Sequence, residues 1–392
     1  MISWKEYPRT IGGLSKYLSW FKDFRRPRDM LDVSKNSGQG ALQPVSLFGS
    51  EYEKTGKLLD YGFEQGTLGD NYFLTMLAAL SEINGFIPNL FHQDNYNHEG
   101  IFALRVFVKG RPEQVTVDDL FPTYNNQPAF SKPTQDGGWW MPLIEKAFAK
   151  VNINYEMINS GFSSEAARFL TGSPSQDFET NTATTDELWD SLSLNLRKQH
   201  VITAECFNEF QGLQAGQGVI LKSYIKYVYP DGSIIRLLKV KNPWKKCQDN
   251  GKDCQRAEYK GRFNSKDSLW TDDIKQKAGF EQLRPGEFFM LVEDFKQAFK
   301  TYSIVHFKKE WKNSFVEKRN ALNKKTYRFN FTITEDDLKE EIENQVKHVQ
   351  KVVAKANANF LFNEAAQFAE KMHSDDRFGM GKQEKNFDIE SI

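Results

Sequence analysis

The chain has 392 residues and carries 52 Lys plus Arg against 52 Asp plus Glu, so no net charge draws it to nucleic acid or to an anionic membrane. Hydrophobic residues at 39% and charged residues at 27% are ordinary for a globular protein, and 32 Phe, 14 Tyr and 8 Trp can fill a large core. Cys206, Cys247 and Cys254 are too few and too odd for a disulfide framework, and no apolar run approaches the roughly 20 residues that span a bilayer. Cys247 and Cys254 lack the companion ligands of a zinc site, so no metal is expected there. The N-terminus MISWKEYPRT has no apolar h-region, and Glu6, Asp23 and Asp29 argue against a transit peptide, which together point to the cytoplasm.

Residues 1–44 read as an N-terminal arm. Within it Leu14, Tyr17, Leu18, Phe21 and Phe24 recur at helical spacing over 13–26, with Pro27 expected to stop that helix. The Gly-, Ser- and Asn-rich stretch that follows reads as a linker. Residues 45–175 read as a mainly helical lobe. TLGDNYFLTMLAALSEI and WWMPLIEKAFAKVN are its helices, and IFALRVFVKG and EQVTVDDLFPT its strands. Residues 176–310 read as a mainly β lobe built from HVITAECF, GVILKSYIKYVY, IIRLLKVKNPW, EFFMLVEDF and SIVHF, with a hairpin turn at Pro230-Asp231-Gly232. The layout is α+β.

Residues 308–328 carry eight Lys or Arg against two Glu, and TYRFNFTI is one strand candidate nearby. From Thr334, an N-cap residue followed by acids, Leu338, Ile342, Val346, Val349, Val353 and Ala356 form one apolar stripe. A helix over 335–373 would run about 58 Å, too long for one small domain, so a basic linker and long helix occupy 311–373. The tail, 374–392, reads as disordered. The acids that follow the basic segment neutralise it and remove the case for nucleic acid.

QGTLGDNY at 65–72, VTVDDLFPT at 115–123, WWMPLIEKAFAKVNINYEMINSGFSSEAARFLTGS at 139–173, LQAGQGVILKSY, KVKNPW and GEFFMLVEDF follow one another in the order of the calpain protease core, which the chain resembles over roughly 50–310. The resemblance implies a papain-like fold with a Cys-His-Asn site. In such a site the Cys thiolate sits at a helix N-terminus, a Gln donates to the oxyanion, and a His acts as base. Gln65 matches that Gln. Asn71 stands at the Cys position, where its carboxamide is expected to cap the helix, and Gln217 stands at the His position. Asn242 and Trp244 match the family's Asn and Trp. A chain without thiolate and base is expected to have no peptidase activity, and Cys206 reads as a core thiol rather than a substitute.

The family's core also binds two calcium ions that align its lobes. Here Glu165 and Glu287 match ligand positions, but Gly62 (with Asp60 nearby), Ser265 and Pro285 stand where Asp carboxylates are expected. Calcium wants six to eight oxygens, several of them carboxylates. The expectation is therefore no cofactor and no metal. The sequence points to a non-catalytic calpain-like scaffold, contacting other proteins of an assembly through the N-terminal arm and the 335–373 helix, in a cytoskeletal or ciliary setting. The alternative is a regulatory peptide-binding module that uses the residual cleft.

Overall fold

The computed structural model describes residues 23–30, 45–244 and 259–307, together with strand pairs at 248–249 with 252–253 and at 327–331 with 385–389. At the N-terminal end Asp23–Arg25 form strand β1, not the end of a helix as the apolar spacing over 13–26 suggested; residues 13–22 lie outside the described residues. Pro27 does not stop a helix but begins a helical turn over 27–30, in which the amides of Asp29 and Met30 donate to the Arg26 carbonyl at 3.0 and 3.2 Å. Proline suits a first helical position, because its fixed φ is helical and its missing N–H would have had no partner there.

The first lobe continues with α1 (Ser50–Thr55), α2 (Asn71–Ser81) and α3 (Phe86–Leu90). Then come β2 (Ile101–Val108) and β3 (Arg111–Asp118), paired as a hairpin, and β4 (Phe121–Tyr124), which pairs with β1 on one side and β5 (Gln127–Pro128) on the other. Helices α4 (Trp140–Val151) and α5 (Ser163–Thr171) complete it. Every residue of α2 is buried, which explains why its sequence is apolar around the whole helix rather than along one stripe. Phe73 of α2 stacks on Phe148 of α4 at 4.2 Å between ring centroids, and Phe169 of α5 leans on Phe148 at 4.9 Å.

The second lobe comprises β6 (Ser175–Glu179), α6 (Thr185–Arg197), β7 (Val201–Cys206), β8 (Gly218–Val228), β9 (Ile234–Lys241), the short pair β10 (Gln248–Asp249) and β11 (Lys252–Asp253), α7 (Asp272–Ala278), β12 (Glu287–Leu291), α8 (Val292–Ala298) and β13 (Phe299–Val305). Six strands form one antiparallel sheet in the order β12-β9-β8-β7-β13-β6. The β8–β9 hairpin turns at Pro230–Gly232, with Gly232 at φ +84°, where glycine carries no Cβ penalty. Three helices make this lobe more helical than its sequence suggested. The stretch VEDF leaves the sheet to open α8, because Glu293 and Asp294 sit where acids favour a helix N-terminus. Helix α6 begins with a capping box between Thr184 and Glu187, a pattern legible in the sequence as TTDE.

Ile220, Trp244 and Val305 of the second lobe join the core of the first, so the lobes share apolar contacts at their junction. The C-terminal segment beyond Phe315 is a separate unit. In it β14 (Tyr327–Phe331), anticipated as TYRFNFTI, pairs antiparallel with β15 (Lys385–Ile389). Strand β15 falls within 374–392, the segment read from sequence as a disordered tail, and the alternation of NFDI suits a strand there. The helix expected over 335–373 lies outside the described residues.

Candidate functional site

Asn71 is the first residue of α2, 8% exposed, and Asp70 is the N-cap. The Asn71 carboxamide was expected to cap its own helix. Instead its nitrogen crosses the lobe junction, donating to Glu205 Oε1 at 2.6 Å and to the Gly216 carbonyl at 2.7 Å. The capping is backbone work: the Asp70 carbonyl accepts from the amides of Phe73 and Leu74 at 2.9 and 3.1 Å. Gln217 follows Gly216 directly, and its Oε1 faces Asn242 Nδ2 at 3.4 Å. Asn242 Oδ1 in turn accepts from the Trp244 amide at 3.0 Å, and the Trp244 indole donates to the Gly218 carbonyl at 2.8 Å. Asn71, Gln217, Asn242 and Trp244, far apart in sequence, thus meet where α2 abuts β7, β8 and the end of β9. Gln65 approaches from the first lobe, but its amide nitrogen is engaged by the Leu68 carbonyl at 2.6 Å.

The close approach has a backbone cause. A Cβ on Gly218 would fall 2.0 Å from Thr75 Oγ1, so only glycine lets β8 run this near α2. Chemically the cluster is amide-rich. Carboxamides donate and accept hydrogen bonds but supply neither a thiolate nor a titrating base near neutral pH. Cys206, the final residue of β7, alternates with Glu205 and turns to the other side. Its thiol lies in the β-lobe core, donates to the Asn208 carbonyl at 3.0 Å, and is pushed up to about 11 by burial and by Glu205. His200 stands before the other end of β7, buried, with Nδ1 2.9 Å from Asn195 Oδ1.

Several residues of the junction were not singled out from sequence. Glu205 and the Gly216 carbonyl are the partners of Asn71, and a Glu inside the apolar strand VITAEC was the available signal. At the N-terminal end of α2, the buried Asp70 and Glu145 carboxyls lie beside one another. Burial, with Glu145 beside it, pushes Asp70 well up; burial pushes Glu145 up to about 7, although the Ser131 amide donates to it at 3.1 Å. The pair therefore holds a proton that exposed carboxyls would have released.

Calcium is the metal that the resemblance implies, and the residues present do not fit it. Glu287 is already matched by Lys239 at 2.8 Å and by Arg284 at 3.3 Å, while Asp60 is matched by Lys241 at 2.8 Å and Arg284 at 3.1 Å. Burial opposes ionisation of Glu287, but the Arg284 amide, Lys239 and the Arg284 guanidinium outweigh it and hold the carboxyl below its usual range. Gly62 has φ +75°, with Gln135 against the place of any Cβ, and Glu165 is exposed at the start of α5. Among the described residues, no three His, Cys, Asp or Glu side chains are grouped to hold a metal ion.

Comparison with known proteins agrees with this architecture. Residues 46–306 match the family described as calpain family cysteine protease. The chain is 26% identical over 252 residues to the calpain-type cysteine protease DEK1 of Arabidopsis thaliana, covering 61% of this chain and 11% of that protein. It is 26% identical over 288 residues to the calpain-1 catalytic subunit of Bos taurus, covering 69% and 38%, and 27% identical over 285 residues to calpain clp-4 of Caenorhabditis elegans, covering 69% and 37%. The chain therefore spans well under half the length of these relatives. With the match running through both lobes of the core, it belongs to the calpain family of cysteine proteases.

Proposed function

We propose that this calpain-family chain is a non-catalytic pseudoprotease that serves as a structural subunit of a larger protein assembly. The observation that carries the reading is the engagement of Asn71. Both contacts of its carboxamide nitrogen, to Glu205 and to the Gly216 carbonyl, tie the lobes together where a nucleophile would need to face an open cleft. The same bridge weighs against the peptide-binding alternative, since a bound strand would have to displace two short hydrogen bonds. The partner-binding segments in this reading are the N-terminal arm, 1–44, and the helix of 335–373, and a cytoskeletal or ciliary assembly is the proposed setting. No helix among the described residues is long and apolar enough to cross a membrane.

The test has two arms. Purified full-length chain, with and without calcium, is incubated with a fluorescent unfolded casein; the reading requires no cleavage above a buffer blank. Tagged chain, intact or lacking 335–392, is then recovered from its native cells under gentle lysis. A defined set of partners lost with the tail supports the assembly role. Cleavage abolished by thiol alkylation, or recovery as a lone monomer, overturns the corresponding half of the reading.

A further inference from the structure

Two acids of the first lobe, Asp60 and Glu82, the C-terminal cap of α2, lie close enough together to share cations. Both face cations of the second lobe. Lys241, fully buried at the end of β9, lies 2.8 Å from Asp60 and 3.2 Å from Glu82, in ion pairs rather than aligned hydrogen bonds. Arg284 forks between them, with Nη1 3.1 Å from Asp60 and Nη2 3.0 Å from Glu82. Lys222 also contacts Glu82, and it can do so because it falls at the bulge where the β8–β9 register shifts between Leu221 and Ser223. A bulge re-aims one side chain out of the alternation, here toward the other lobe. Glu287, paired with Lys239 and Arg284, anchors the cationic side of the cluster in the second lobe.

Three carboxylates, Asp60, Glu82 and Glu287, thus meet four cations, Lys222, Lys239, Lys241 and Arg284. The cluster is net positive before any metal arrives, and a divalent cation would have to displace ammonium and guanidinium groups from every carboxylate in it. Exposed ion pairs hold little, but Lys241 at 0%, Glu287 at 1% and Glu82 at 7% side-chain exposure are shielded, and removing one partner would leave the others uncompensated. We propose that this network is an interlobe clamp: the protein's own cations, in place of calcium, lock the β lobe onto the C-terminal end of α2 and the Asp60 carboxylate beside it. The lobes then stay in register whatever the calcium concentration, and the register is set by side chains that cannot diffuse away. This goes beyond the absence of catalysis and stands or falls separately from it.

Amide hydrogen exchange on the full-length chain, followed by mass spectrometry, tests the clamp. Peptides covering α2, β8 and β9 report the junction, measured with chelator and with millimolar calcium. The wild-type rates should agree within about twofold between the two conditions. Arg284→Gln, and separately Lys222→Gln, should speed junction exchange about fivefold or more in both conditions, whereas Lys277→Gln, which breaks an exposed pair with Asp273 elsewhere in the β lobe, should not. Calcium protection of the wild-type junction beyond twofold overturns the proposal. So does junction exchange in both clamp variants that matches Lys277→Gln. Arg284 is half exposed, so its variant is expected to fold; should it not, Lys222→Gln and the wild-type calcium comparison still decide the matter.

Discussion

Asn71 Nδ2 and Glu205 Oε1, 134 residues apart in sequence, lie 2.6 Å from each other across the junction of the two lobes. The hydrogen bond to a carboxylate is charge-assisted and joins the first residue of α2 to β7. Asn71→Ala should destabilise the chain by about 1–2 kcal/mol, since it leaves the Glu205 carboxylate and the Gly216 carbonyl to find other donors. Asn71→Asp should cost more, because it sets a second carboxylate against Glu205. Urea denaturation with a common slope measures both.

Placing a thiol at the head of α2 is expected not to create peptidase chemistry by itself. In Asn71→Cys the residue that would take the proton is Gln217, whose amide is no base. Casein cleavage by that variant should equal that by Asn71→Ala. Only the pair Asn71→Cys with Gln217→His supplies both nucleophile and base, and measurable turnover by the single variant would show that some other group acts as base.

Gly218 and Thr75 set the spacing of the lobes. A Cβ at 218 would sit 2.0 Å from Thr75 Oγ1, so Gly218→Ala should cost about 1–3 kcal/mol by forcing β8 away from α2. Combining it with Thr75→Ala, which removes the opposing hydroxyl, should recover at least half of that loss. A double-mutant cycle by thermal or urea unfolding reads the coupling.

The buried Asp70–Glu145 pair makes stability depend on pH in a definite direction. Because the folded protein holds Glu145 up at about 7, above its ordinary value near 4.5, the folded state binds more protons than the unfolded one between those two values. Stability from this group is therefore greatest at the acidic end and is lost as pH rises through that window. Glu145→Gln keeps an oxygen for the Ser131 amide and should gain on wild type across it, by on the order of 2–3 kcal/mol. A constant difference between the two proteins from pH 4.5 to 8 would contradict the assignment.

Cys206 should be inert while the chain is folded. Its thiol is held protonated and packed into the β-lobe core, so alkylation at pH 8 should run at least about a hundredfold slower than for a free cysteine. Peptide mapping after brief iodoacetamide treatment, with and without urea, separates it from Cys247 and Cys254.

Much of the core was legible along the chain. The all-apolar α2, the apolar face of α4, the alternating strands of the β lobe and the Pro-Asp-Gly turn follow from local periodicity and turn chemistry, which act over a few residues. Motif order, which survives in one dimension, also pointed to Asn71, Gln217, Asn242 and Trp244, and the structure brings these four together. The helices of the second lobe were harder to see: α7 and α8 each span only seven residues, too short for a helical period to stand out. Strand β1 was missed because its pairing partner lies about a hundred residues away.

Motif order alone was enough to name the residue types at the positions that the resemblance matches to the family's catalytic and calcium-binding ones, since that needs only an alignment along the chain. Whom those residues touch follows from the packing of the lobes. That Asn71 reaches Glu205 instead of capping α2, and that Lys241 and Arg284 meet Asp60 and Glu82, depends on how closely two lobes pack. The Gly218 approach and the bulge at Lys222 set that distance. Coulomb and hydrogen-bond energies fall away within a few ångströms, so the partners exist only once the fold has brought the chain segments together.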